Sequence, residues 1–65
     1  MGYKWKETKK DKIWNLEESD FGLVATIYLE GDNQYHVYGQ FDSYGYYDTL
    51  GKAKKAVIRK LDLDN

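Results

Sequence analysis

The sequence predicts an α+β domain of ββ(β)α order: a two- or three-stranded antiparallel sheet packed on one C-terminal helix. Three observations carry this. Residues 23–30 and 34–41 each alternate apolar and polar side chains across a Gly-Asp-Asn turn, the period-2 signature of paired strands with one buried face. Residues 50–61 place Leu50, Ala53, Val57, Ile58 and Leu61 at helical spacing, with Lys52, Lys55 and Arg59 on the opposite side. The 65 residues include neither cysteine nor proline, so no disulfide or thiolate metal site holds the chain, and packing must supply its stability. A sheet with one apolar face and a single amphipathic helix bury each other as two layers.

The elements follow in order within one small domain, residues 1–65. Residues 1–12 form a basic arm of five lysines and two acids. In it Tyr3 and Trp5 alternate with Lys4 and Lys6, a pattern open to either a short strand or a frayed terminus. Ile13–Glu17 reads as a strand with Trp14 and Leu16 on one face, and Glu18-Ser19-Asp20 as a turn. The sheet and an aromatic loop occupy 13–47, the loop being the aperiodic stretch Asp42-Ser43-Tyr44-Gly45-Tyr46-Tyr47. Asp48 or Thr49 caps a helix over 49–61. Its acid start and basic later turns complement the macrodipole, and Asp62–Asn65 is expected to fray.

Register follows from parity. Directly opposed residues of an antiparallel pair share a face, and the apolar sets of both central strands are odd-numbered. A three-residue loop at 31–33 satisfies this by pairing Glu30 with Gln34. It then sets Leu29 opposite Tyr35, Ile27 opposite Val37, Ala25 opposite Gly39 and Leu23 opposite Phe41. On the outer face Tyr28 meets His36 and Thr26 meets Tyr38. Small residues at Ala25 and Gly39 leave room for something to pack closely.

Charge is distributed unevenly. Residues 13–50 hold seven acids, no lysine or arginine, and six of the seven tyrosines, whereas each end carries a net charge of +3 (five bases less two acids). With a net charge of −1 the chain lacks the basic balance of a general nucleic-acid binder. Its longest apolar runs are far too short to span a bilayer, and residues 1–12 show no secretory signal pattern. A cytoplasmic protein with no membrane association is expected, as a monomer or homodimer.

No motif declares a reaction. Ser19 or Ser43 can be counted with His36 and an aspartate as a hydrolytic set, but nothing in their spacing supports one, and so short a chain leaves little room for a substrate cavity. Glu17, Glu18 and Asp20 read as a solvated acidic turn, and the calcium-loop and phosphate-loop patterns are absent. The expectation is a non-enzyme with no cofactor and no metal.

The run through Gly39-Gln40-Phe41-Asp42-Ser43 into Lys52-Ala53-Lys54-Lys55-Ala56 resembles the layout of AP2-like DNA-binding domains. That resemblance implies a sheet that reads DNA, but the arginines and tryptophans which do so in that family have no counterpart on the two central strands, residues 23–30 and 34–41. Taken together, small size, lack of cysteine, one acidic surface and a sheet-plus-helix layout resemble small phage-encoded inhibitors of the anti-CRISPR and DNA-mimic type. What this implies is a protein-binding module that docks an acidic, Tyr-rich surface on the basic, nucleic-acid-binding site of a partner protein. Tyr28, Tyr38, Tyr44, Tyr46 and Tyr47 are the candidate aromatic anchors, since tyrosine is enriched among interface hot spots. Glu30, Asp32, Asp42 and Asp48 would set the electrostatic fit and the on-rate, unless capping the helix is the whole role of Asp48. The alternative is a nucleic-acid-binding protein using Lys52, Lys55 and Arg59 of the helix with Lys4, Lys6, Lys9 and Lys10 of the arm. A module that dimerises through a sheet edge is a third class.

Overall fold

The computed structural model describes residues 2–40 and 42–64. Five strands, β1 (Tyr3–Lys9), β2 (Ile13–Glu18), β3 (Gly22–Glu30), β4 (Gln34–Gly39) and β5 (Ser43–Tyr47), precede one helix, α1 (Leu50–Asp64). The strands form one antiparallel meander in the order β1-β2-β3-β4-β5. The α+β class and the C-terminal helix stand as the sequence predicts, but the sheet has five strands rather than two or three.

The basic arm is one of the added strands. Lys4 lies opposite Glu17, Trp5 opposite Leu16 and Lys6 opposite Asn15. Trp5 is half-buried against the core, with the Lys54 ammonium 5.2 Å from its ring centroid. The turn into β2 sets Asp11 at φ 60°, and its N–H donates to the Glu7 carboxylate at 2.7 Å. Aspartate tolerates this left-handed conformation better than most residues.

The β3–β4 register is the predicted one from Ala25↔Gly39 through Glu30↔Gln34; the Leu23–Phe41 pair lies outside the described residues. The close packer that Gly39 admits is the ring of Tyr44, because a Cβ on Gly39 would overlap its Cζ and Oη atoms.

β5 stands where the sequence predicts an aromatic loop, and the reason for the difference is its broken alternation. Val37 pairs with Gly45 and Tyr38 with Ser43, so Tyr44 is an extra residue on the β5 side. Such a bulge interrupts the period of 2 and kinks the strand, and Gly45 supplies the necessary φ of 113°.

α1 lies across β3, β4 and β5. Trp14, Leu16, Ala25, Ile27, Val37, Ala53 and Val57 are buried between sheet and helix. Ile58, expected on the buried stripe, is 40 % exposed, since the helix turns the Ala53–Val57 line to the sheet. Thr49 is the N-cap, its Oγ1 accepting from Lys52 N–H at 3.1 Å, while Asp48 pairs with the Lys52 ammonium at 3.1 Å. The helix continues to Asp64, and its last turn contains no basic residue. The expected complement of base and dipole is therefore missing from that end, because residues expected to fray extend the helix past Arg59 and Lys60.

Glu18 is buried at the end of β2 and closes the β2–β3 turn. Its carboxylate accepts from the Asp20 and Phe21 N–H groups and from the Ser19 hydroxyl at 3.0–3.2 Å. Those bonds, the Asp20 N–H foremost, hold its pKa below the ordinary value against an opposing push from burial.

Candidate functional site: the uncovered sheet face

Strand alternation places Thr26, Tyr28 and Glu30 of β3, His36 and Tyr38 of β4, and Ser43 and Tyr46 of β5 on the face that turns away from α1. Among the described residues no helix covers this face, yet His36 is only 7 % exposed. Its neighbours provide the cover. The Tyr46 ring stacks on the imidazole at 3.9 Å between centroids and 23° between planes, and the Tyr38 ring lies 4.0 Å away. Tyr28 meets Tyr38 edge-on at 5.4 Å. The outcome is a row of rings whose outer surfaces stay open: Tyr28 and Tyr38 are each 39 % exposed and Tyr46 is 53 % exposed.

Polar contacts fix the row. His36 Nδ1 lies 3.1 Å from Glu30 Oε2, and Nε2 lies 2.7 Å from Ser43 Oγ. An ionised carboxylate can only accept, so Nδ1–H donates to Glu30, and in the neutral ring Nε2 accepts from the Ser43 hydroxyl. Beside the row, Thr26 Oγ1 donates to Asn15 Oδ1 at 2.9 Å. The β1 side of the same face is different in kind, with Lys4 opposite Glu17.

Tyr38 has a raised pKa. Burial against its neighbours is the main cause, followed by the charge of Glu30 and then by Tyr46 and Tyr28. A folded-state pKa above the unfolded value near 10 means that the neutral phenol contributes stability that is complete below about pH 10 and is lost as pH rises through the folded value. An ultraviolet titration of tyrosinate should therefore show a component above the ordinary tyrosine range, and Glu30→Gln should move its midpoint down. An unmoved midpoint would exclude the Glu30 charge as a cause.

Of the residues expected to form one surface, Tyr28, Glu30, Tyr38 and Tyr46 come together here, with Asp32 in the turn that follows Glu30. Tyr44 and Tyr47 do not join them. Both are half-buried on the helix side, packed on the core, and the Tyr47 hydroxyl donates to the Tyr44 carbonyl at 3.3 Å. Asp42 and Asp48 are likewise separated from the ring row: Asp42 borders a groove against α1, and Asp48 faces Lys52. Of the alternative set, Lys4, Lys6 and Lys9 ride on β1 and Lys10 on its turn, across the sheet from Lys52, Lys55 and Arg59 of α1. The two basic groups therefore do not form one patch.

Sequence reasoning missed the joining of His36 to Ser43 and Glu30. Parity in the β3–β4 hairpin already put Glu30 and His36 on one face, but the Ser43 contact requires β5, whose bulge hid it. Carboxylate, imidazole and hydroxyl stand in the order of a nucleophilic triad. However, tyrosines cover both faces of the ring, and the cavity that Ser43 lines opens toward α1, with Tyr44, Tyr47 and Lys55 among its walls and without His36. No family model matches the chain, and no curated protein or solved structure matches it.

Proposed function

We propose that this chain is a non-catalytic protein-binding module, an inhibitor that sets its Tyr28–Tyr38–Tyr46 row on the basic, nucleic-acid-binding site of a partner protein. The observation that carries the reading is the row itself: three half-open rings on an uncovered sheet face, held by stacking on a buried, hydrogen-bonded His36. Rings already fixed lose little conformational entropy on binding, and tyrosine offers wide contact area together with a polar tip. Glu30 and Asp32 lie at one end of the row with no lysine or arginine between Ile13 and Leu50. That polarity suits a cationic groove, steering encounter and fixing orientation. In this reading the Glu30–His36–Ser43 chain positions the rings and does no chemistry.

The test is capture from lysate by immobilised protein, with elution by heparin or DNA. Wild type should retain proteins that the polyanion displaces, and Tyr28→Ala with Tyr46→Ala should retain few of them. Equal retention by both would remove the ring row from the reading. Tight, salt-sensitive binding of DNA by the protein itself, or hydrolysis of an activated ester that Ser43→Ala abolishes, would replace it.

A further inference from the structure

The opposite side of the molecule carries a second surface. Between β5 and α1 runs a groove of about 720 Å³. Tyr44 and Tyr47 line its strand side; Lys52, Lys55, Arg59 and Lys60 line its helix side, with Ala56 as a small residue between them. Two carboxylates stand near it: Asp42 lines it, and Asp48 is held by Lys52 at 3.1 Å. Lys60 lies 5.6 Å from the Tyr44 ring. Between Lys52 and Lys60 along α1 stand Lys55 and Arg59, both exposed and both lining the groove.

We infer that this groove binds a short extended peptide segment carrying two acidic residues at i and i+2. Charge complementarity selects the acids, and spacing selects their separation. Lys55 and Arg59 are four residues apart, about 6 Å along the helix axis. Alternate side chains of an extended strand point the same way about 6.6 Å apart, so two carboxylates in that register meet both cations. Lys52 to Lys60 spans about 12 Å, the length of about four extended residues. β5 is the sheet edge on this side, so one wall of the groove is itself a strand.

Two other occupants fit less well. A single-stranded nucleic acid needs open ring faces for its bases, but Tyr44 is packed over Gly39 and is half-buried, as is Tyr47. A continuous phosphate backbone would also pass Asp42 and Asp48. A second copy paired through β5 would set the Lys55 and Arg59 stripes of both molecules against each other, a like-charge contact that opposes it. The inference is independent of the ring row on the other face.

Fluorescence anisotropy at low salt tests it with two labelled peptides of equal composition, one with glutamates two apart and one with them adjacent. The first should bind more tightly. Lys55→Glu with Arg59→Glu, both surface positions checked for unchanged circular dichroism, should weaken it by about tenfold or more. Tyr28→Ala with Tyr46→Ala should leave it unchanged, which separates this groove from the opposite face. Equal affinity for the two peptides, no loss in the double-charge variant, or preferential binding of labelled oligo-dT would each overturn the inference.

Discussion

Gly39→Ala is expected to lower stability by about 2–3 kcal/mol, the scale of overpacking in a tight site. Gly39 opposes Ala25 in the β3–β4 pair, and a Cβ there would overlap the Tyr44 ring. The ring has little freedom to move aside. Tyr44 is the bulged residue of β5, its carbonyl accepts from the Tyr47 hydroxyl, and Lys60 lies over the ring. A chain of this length has about 3–10 kcal/mol to lose, so the variant should unfold at much lower urea concentration. The double variant Gly39→Ala, Tyr44→Ala supplies the control. Removing the ring removes the clash, so the two changes together should cost clearly less than their sum. An additive result would mean that Gly39 matters only for backbone freedom.

His36→Ala is the second large effect, because one side chain supports both stability and the proposed binding face. It deletes a ring that is 7 % exposed, stacked at 3.9 Å on Tyr46 and 4.0 Å from Tyr38. The loss of packing and ring contacts should cost about 2–3 kcal/mol. Tyr38 and Tyr46 would then lack the spacer that sets their separation, so capture of the partner should fall even where the protein remains folded. His36→Phe keeps a ring between them and removes only the bonds to Glu30 and Ser43, worth about 1 kcal/mol each. It should recover the share of stability that packing and ring contacts supply, and part of the binding. Full binding by His36→Ala would show that the tyrosines act without being positioned.

Much of the fold was legible, and the reason is local. The β3–β4 register follows from side-chain parity and a three-residue turn, both properties of about twenty contiguous residues, and the helix follows from a period that its own sequence repeats. The failures are at places where neighbours override local pattern. β1 has only Tyr3 and Trp5 as an apolar signal among its lysines, and pairing with β2 completes it: Ser19 N–H donates to the Gly2 carbonyl at 3.0 Å, and Trp5 docks under Lys54. β5 has abundant aromatic residues but a broken period.

The site was legible in part for the same reasons. Tyr28, Glu30, His36 and Tyr38 could be placed on one face from the hairpin alone. Tyr44, Tyr46 and Tyr47 could not be sorted, since the bulge at Tyr44 decides which rings face the core.

What the sequence by itself determined is the layer order, the central hairpin, the helix and a middle segment without basic residues, because each depends on periodicity or composition within one stretch of chain. Only the tertiary structure decided how that segment is used. Pairing of β5 with β4 brings Ser43 and Tyr46 to His36 and turns Tyr44 and Tyr47 the other way. It divides the tyrosines between a fixed open face and a basic groove, since a one-residue bulge reassigns side chains to opposite faces of a sheet and its effect is set by the partner strand.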